Sequence, residues 1–132
     1  LLEHVRACPP AEDRLGIVTG GWYAASLGPF RERFGDRLLV LLHDDLATDA
    51  AGVYRRALRH VGADDSFTPP ALDRVRFSIR DRDGESEAVS LTPEERAELY
   101  GYFRDDVAEL EQWLGRDLSM WDPARGASGA RA

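Results

Sequence analysis

The sequence predicts an α/β chain, mostly helical, with one buried strand of a parallel sheet. Two observations predict it. Leu38-Leu39-Val40-Leu41-Leu42 is a continuous aliphatic run bounded by charged residues. Its shortness suits a strand covered on both faces. It stands between two segments with apolar residues at helical spacing. One strand cannot make a sheet, so its partners are expected from elsewhere: a missing part of a longer chain, or a second copy through self-association.

The elements are justified in order. Leu1 to Ala7 reads as the end of a helix already under way, which suggests a truncated chain. Residues 9–20 carry Pro9, Pro10, Gly16 and Gly20 and read as a loop. A helix is expected from Gly21 to Phe34, with Tyr23, Leu27, Phe30 and Phe34 as its core stripe and Gly35 as its cap. After the strand, Asp44 and Asp45 fall in a turn and Asp49 is placed to cap a helix from Ala50 to Val61. Val53, Tyr54, Ala57, Leu58 and Val61 form its apolar face, opposite Arg55, Arg56 and Arg59, and Gly62 ends it. Residues 63–91 have no clear periodicity, and a loop of that length is often functional. Thr92-Pro93-Glu94-Glu95 is a capping box with proline at the first helical position. The helix it opens carries Leu99, Phe103, Val107, Leu110 and Leu114, and Gly115 stops it. Residues 122–132 are small and polar and read as a disordered tail.

Composition narrows the function classes. The chain is 43% apolar and 31% charged, as expected of one soluble globular domain. Its longest apolar run is five residues, far from the ~20 of a membrane helix. The N-terminal residues have charges where a secretory leader would be apolar, so a cytoplasmic location is expected. A net charge of −7 argues against a general nucleic-acid binder. All 17 basic residues are arginine, so a phosphate loop with its usual lysine cannot occur here. Cys8 is the single cysteine, which rules out an internal disulfide or a cysteine zinc site. His4, His43 and His60 have no ligand-like spacing, and no Ser-His-Asp order or nucleophile elbow exists.

Taken in sequence, these motifs resemble the C-terminal half of the sulfotransferases that use 3′-phosphoadenosine 5′-phosphosulfate (PAPS), closest to the bacterial and heparan-sulfate-type branches. The motifs are Gly21-Trp22-Tyr23 at a helix start, Leu27 and Phe30 along it, the Leu38 to Leu42 run and the Asp44-Asp45-Leu46 turn. Val61-Gly62 follows at a helix end, then Leu114-Gly115-Arg116-Asp117-Leu118 and Trp121. Order and spacing match over about residues 20–121. The resemblance implies a three-layer, P-loop-like parallel-sheet domain over residues 1–121. It implies transfer of a sulfuryl group from PAPS to a hydroxyl or amine of a small molecule or glycan. The family's phosphosulfate loop, and its catalytic His or Glu, have no counterpart in this chain; no metal is implied.

Tyr23 is the best candidate site residue. In the cytosolic sulfotransferases a tyrosine at the corresponding helix start lies beside the PAPS adenine. It equally begins the core stripe, and the two roles are compatible. Arg76, Ser78 and Arg80 fall in the segment that carries family contacts to the anionic co-substrate, and arginine forks suit such a ligand. Asp73, Asp81, Asp83 and Glu85 interleave with these arginines, as on an ordinary solvated surface. Asp44 and Asp45 offer a paired-carboxylate or metal alternative, but a turn role is favoured. The rival function is a small, non-catalytic helical interaction module or a degenerate remnant.

Overall fold

The computed structural model describes Asp13, Gly16, residues 18–70, Leu72 and residues 91–126. Five α-helices run through them: α1 (Tyr23–Phe34), α2 (His43–His60), α3 (Pro93–Gly101), α4 (Arg104–Leu114) and α5 (Pro123–Gly126). Three short 3₁₀ turns, at Thr19–Gly21, Gly35–Arg37 and Ser119–Trp121, punctuate them. The chain forms two compact units, one of residues 1–29 and 89–132, the other of residues 30–88.

No strand occurs among the described residues, which corrects the α/β expectation and the three-layer parallel sheet with it. The Leu38 to Leu42 segment has extended dihedrals at both ends, φ −90° and ψ 116° at Leu38 and φ −88° and ψ 138° at Leu42. An extended backbone becomes a strand only when a neighbour completes its ladder. Among the described residues no such neighbour exists, and only Leu42 of the five is buried. Apolar character therefore reported the local backbone conformation but not a sheet.

The first unit is organised around the start of α1. Backbone N–H groups in a helix's first turn have no partner inside the helix. Here the Asp106 carboxylate of α4 takes two of them, accepting from Ala24 N at 2.9 Å and Ala25 N at 2.9 Å. Its negative charge also meets the positive end of the helix dipole. Beside it, the Trp22 indole N–H donates to the Tyr102 carbonyl at 3.0 Å. Gly21 completes the fit: a Cβ there would lie 2.5 Å from Cε1 of Phe103. Ala24, Val107, Leu110, Leu118 and Val18 form the buried core of this unit. Leu110 and Leu118 are fully enclosed, each contributing roughly 1.5–3 kcal/mol by burial.

The capping box forms as the sequence predicts. Thr92 Oγ1 accepts from Glu95 N at 3.2 Å, and Glu95 Oε2 accepts from Thr92 N at 2.8 Å. The single helix expected beyond it is two. At Tyr102 and Phe103 the backbone tightens into bonds to Leu99 and Tyr100, and α4 starts afresh at Arg104. Gly101 sits at the break, where glycine's poor helix propensity is tolerated. Gly115 ends α4 in the left-handed conformation, φ +60°, with Arg116 N donating to the Glu111 carbonyl at 3.2 Å.

In the second unit α2 is kinked at Asp49, whose φ −147° and ψ 66° are not helical. Asp49 Oδ1 accepts from Gly52 N at 2.8 Å, which caps the part from Ala50 onward, as expected. Gly62 ends the helix at φ +72° with a Schellman pair: Ala63 N donates to Leu58 O at 2.9 Å and Gly62 N to Arg59 O at 3.1 Å. His60 Nε2 donates to the Arg37 carbonyl at 2.8 Å, tying the end of α2 to the turn before the extended segment. Arg59 pairs with Asp65 at 3.0 Å.

The expected core stripe of α1 is not a buried face. Tyr23, Phe30 and Phe34 are 49%, 52% and 43% exposed, and Ala24 is the buried residue. Phe30 and Phe34 stack on each other at 6.5 Å. The periodicity located a helix correctly but could not say which face would be covered. The stretches 1–12, 73–90 and 127–132, with the expected N-terminal helix end, most of the arginine-rich loop and most of the tail, lie outside the described residues. Pro123–Gly126, within the expected tail, forms one helical turn.

Replacing Asp106 with alanine strands two first-turn donors, so a loss of roughly 1–2 kcal/mol is expected in urea unfolding, as for other lost caps. Thr92→Ala, which removes a more exposed cap, is expected to cost about 1 kcal/mol or less. Equal, negligible effects of both would show that Asp106 does not hold α1.

Candidate functional site

The aromatic surface of the first unit gathers residues from both ends of the chain. Tyr23, the first residue of α1, sets its ring 5.9 Å from that of Trp121, tilted by 57°. Such a tilted pair is a favourable aromatic geometry. Trp121 is placed by the turn that follows α4. Glu111 Oε1 accepts from Leu118 N at 2.8 Å, which draws the buried Leu118 under the helix and sets the 3₁₀ turn at Ser119. Asp117 Oδ1 accepts from Ser119 N at 2.7 Å, and this bond holds the Asp117 carboxyl below the usual aspartate range. The Leu114 to Leu118 motif thus works as a backbone turn that delivers Trp121.

Trp121 also walls an open groove of about 720 Å³. Leu99, Tyr100 and Phe103 of the α3 region and Met120 line it with Trp121, as do Leu91, Pro93 and Pro123. Arg96 is the charged residue on its lining, its Nε–H donating to the Leu91 carbonyl at 3.3 Å. A second, smaller recess of about 210 Å³ shares Tyr100 and adds Arg104, Arg125, Glu111, Asp122 and Ser119. Between the two, the Tyr100 phenol is pushed above its ordinary value. Burial is the main cause and the Asp122 carboxylate adds to it, against the opposing pull of Arg104.

Of the sequence-predicted site residues, Tyr23 is on this surface. Arg76, Ser78 and Arg80 lie outside the described residues. Asp44 and Asp45 occupy the first turn of α2, where carboxylates complement the helix dipole. Asp45 also faces Arg56 at 3.7 Å. Among the described residues, no three His, Cys, Asp or Glu side chains converge as a metal site would require. Nor is any helix among them long and apolar enough to cross a membrane. The groove was missed from sequence because Tyr100, Met120 and Arg96 have no motif of their own; its lining comes from α3 and from the turn at Trp121, some twenty residues apart.

Comparison with family models, curated proteins and solved structures finds no match to this chain.

The raised phenol of Tyr100 has a consequence at high pH. The folded state holds this proton more tightly than the unfolded chain does. The stability it contributes is complete below the ordinary tyrosine range and is lost as pH rises through the raised folded value. A Tyr100→Phe variant should therefore lose less stability on alkaline titration than the parent chain. Its ultraviolet difference titration should lack a phenolate that forms above the ordinary tyrosine range. Identical alkaline profiles would contradict this assignment.

Proposed function

We propose that the chain serves PAPS-dependent sulfuryl transfer to a hydroxyl or amine acceptor, contributing the surface that contacts the adenine of the co-substrate. One observation carries the reading. The Gly21-Trp22-Tyr23 helix start and the closing Trp121, the two outermost motifs of the resemblance, meet as a ring pair at 5.9 Å. A half-exposed tyrosine ring braced against a tryptophan in this way suits stacking on a purine. Arg76, Ser78 and Arg80 are assigned by the resemblance to the anionic groups of the same ligand. A sheet is no part of the proposal, because the described residues contain none.

The phosphosulfate loop and the base that such chemistry requires have no counterpart in the sequence. Catalysis of this kind rests on positioning and charge stabilisation at the transferring group, so the expected contribution of this chain is binding.

A second reading rests on a different observation. Val61, Phe67 and Phe30 of the second unit are 73%, 60% and 52% exposed, apolar side chains of the kind a helical interaction module would offer a partner.

Titration with 3′-phosphoadenosine 5′-phosphate, followed by tryptophan fluorescence, separates the two. Saturable binding is expected, weakened about tenfold by Tyr23→Ala, in line with the loss of one base–aromatic stack. Tyr23→Phe should retain most of it. No turnover is expected with PAPS and a panel of hydroxyl and amine acceptors. Absence of saturable binding, or indifference to Tyr23→Ala, would leave the module reading standing.

A further inference from the structure

We infer that the groove between α3 and the turn at Trp121 is a binding site for a small planar aromatic molecule bearing one anionic group, such as an aryl carboxylate. This goes beyond the adenine contact proposed for Tyr23: the two sites share the Trp121 ring, but the groove's case rests on Arg96, Tyr100 and Phe103.

Size, wall chemistry and charge point to the same ligand class. The groove, at about 720 Å³, falls within the ~300–1,000 Å³ typical of small-molecule sites. Tyr100, Phe103 and Trp121 are on its lining, with Leu99 and Met120. Three rings around one space favour a flat, polarisable guest that can meet them edge-on or offset. Methionine beside them adapts to the guest's outline.

The charge of the lining then selects the anion. Among the described residues that line the groove, Arg96 alone is charged. Its Nε–H is engaged by the Leu91 carbonyl at 3.3 Å, a bond that orients the guanidinium and leaves its terminal nitrogens for a further acceptor. That planar fork matches a carboxylate in two-point contact. A chain of net charge −7 would attract cations in general. A cationic guest would nevertheless meet Arg96 at this groove, whereas an anionic one finds its partner there. The occupant is thus set by local complementarity against the global field.

The test uses naphthoate and its neutral counterpart naphthyl methanol, titrated into the intact chain by calorimetry and by tryptophan fluorescence. Naphthoate should bind saturably at one site and more tightly than the alcohol. Arg96→Gln should weaken naphthoate about tenfold, the scale of one charge-assisted hydrogen bond, and leave the alcohol unchanged. Arg96→Lys should restore part of the loss, which keeps the result readable if the glutamine variant folds poorly. Tyr23 is not on the lining of the groove, so Tyr23→Ala should weaken 3′-phosphoadenosine 5′-phosphate and leave naphthoate binding as it was, and the two proposals fail separately. Equal affinity for acid and alcohol, indifference to Arg96→Gln, or no saturable binding of naphthoate would overturn the inference; the first result would mark the groove as a generic apolar surface.

Discussion

The first unit depends on one carboxylate. Asp106 ends two hydrogen bonds on the opening turn of α1, from a helix more than eighty residues away in sequence. Caps usually come from the residue just before the helix; this one comes from another helix and so fixes an orientation as well as an end. With Ala24 and Ala25 held, Trp22 reaches the Tyr102 carbonyl, Gly21 accepts the edge of Phe103, and Tyr23 is left facing Trp121. The position of the aromatic surface follows from this anchor.

A similar economy governs the closing turn. Glu111 and Asp117 each spend a carboxylate oxygen on a backbone N–H two to seven residues onward. Acidic residues that composition alone would class as surface charge instead shape the turn on which Trp121 sits. Much of the negative charge of the described chain works in this way, as at Asp13, which accepts from Val18 N and Thr19 N, both at 2.8 Å.

Local signals in the sequence were legible where their chemistry is local. The Thr92-to-Glu95 capping box, the Asp49 cap and the left-handed glycines at 35, 62 and 115 all occur where side-chain type and spacing place them. What was not legible required knowing a partner. Leu38 to Leu42 is extended but unpaired among the described residues, because an aliphatic run states a preference for burial and cannot name a neighbour. The stripe on α1 was read as core, yet Asp106 presents Ala24 inward instead. Asp106 carries no local mark either: it stands beside Asp105 in the first turn of α4, and nothing in the sequence says which of the two reaches another helix. Tyr23 was singled out by motif, and its ring lies beside that of Trp121. The groove beside Trp121 is lined from α3 and from a later turn, which no single motif encodes.

The kink in α2 joins two positions into one unit of inheritance. A methyl group on Gly52 would overlap the Asp49 carboxylate that caps the same turn. Any side chain at 52 must push that carboxylate out of the position from which it accepts the Gly52 N–H. Once residue 49 has no carboxylate, however, the bare glycine confers no advantage, and alanine becomes the better helix former. Drift at these two sites should accordingly be correlated in descendants of this chain: the glycine persists while the aspartate does, and each loses its reason to remain when the other is gone.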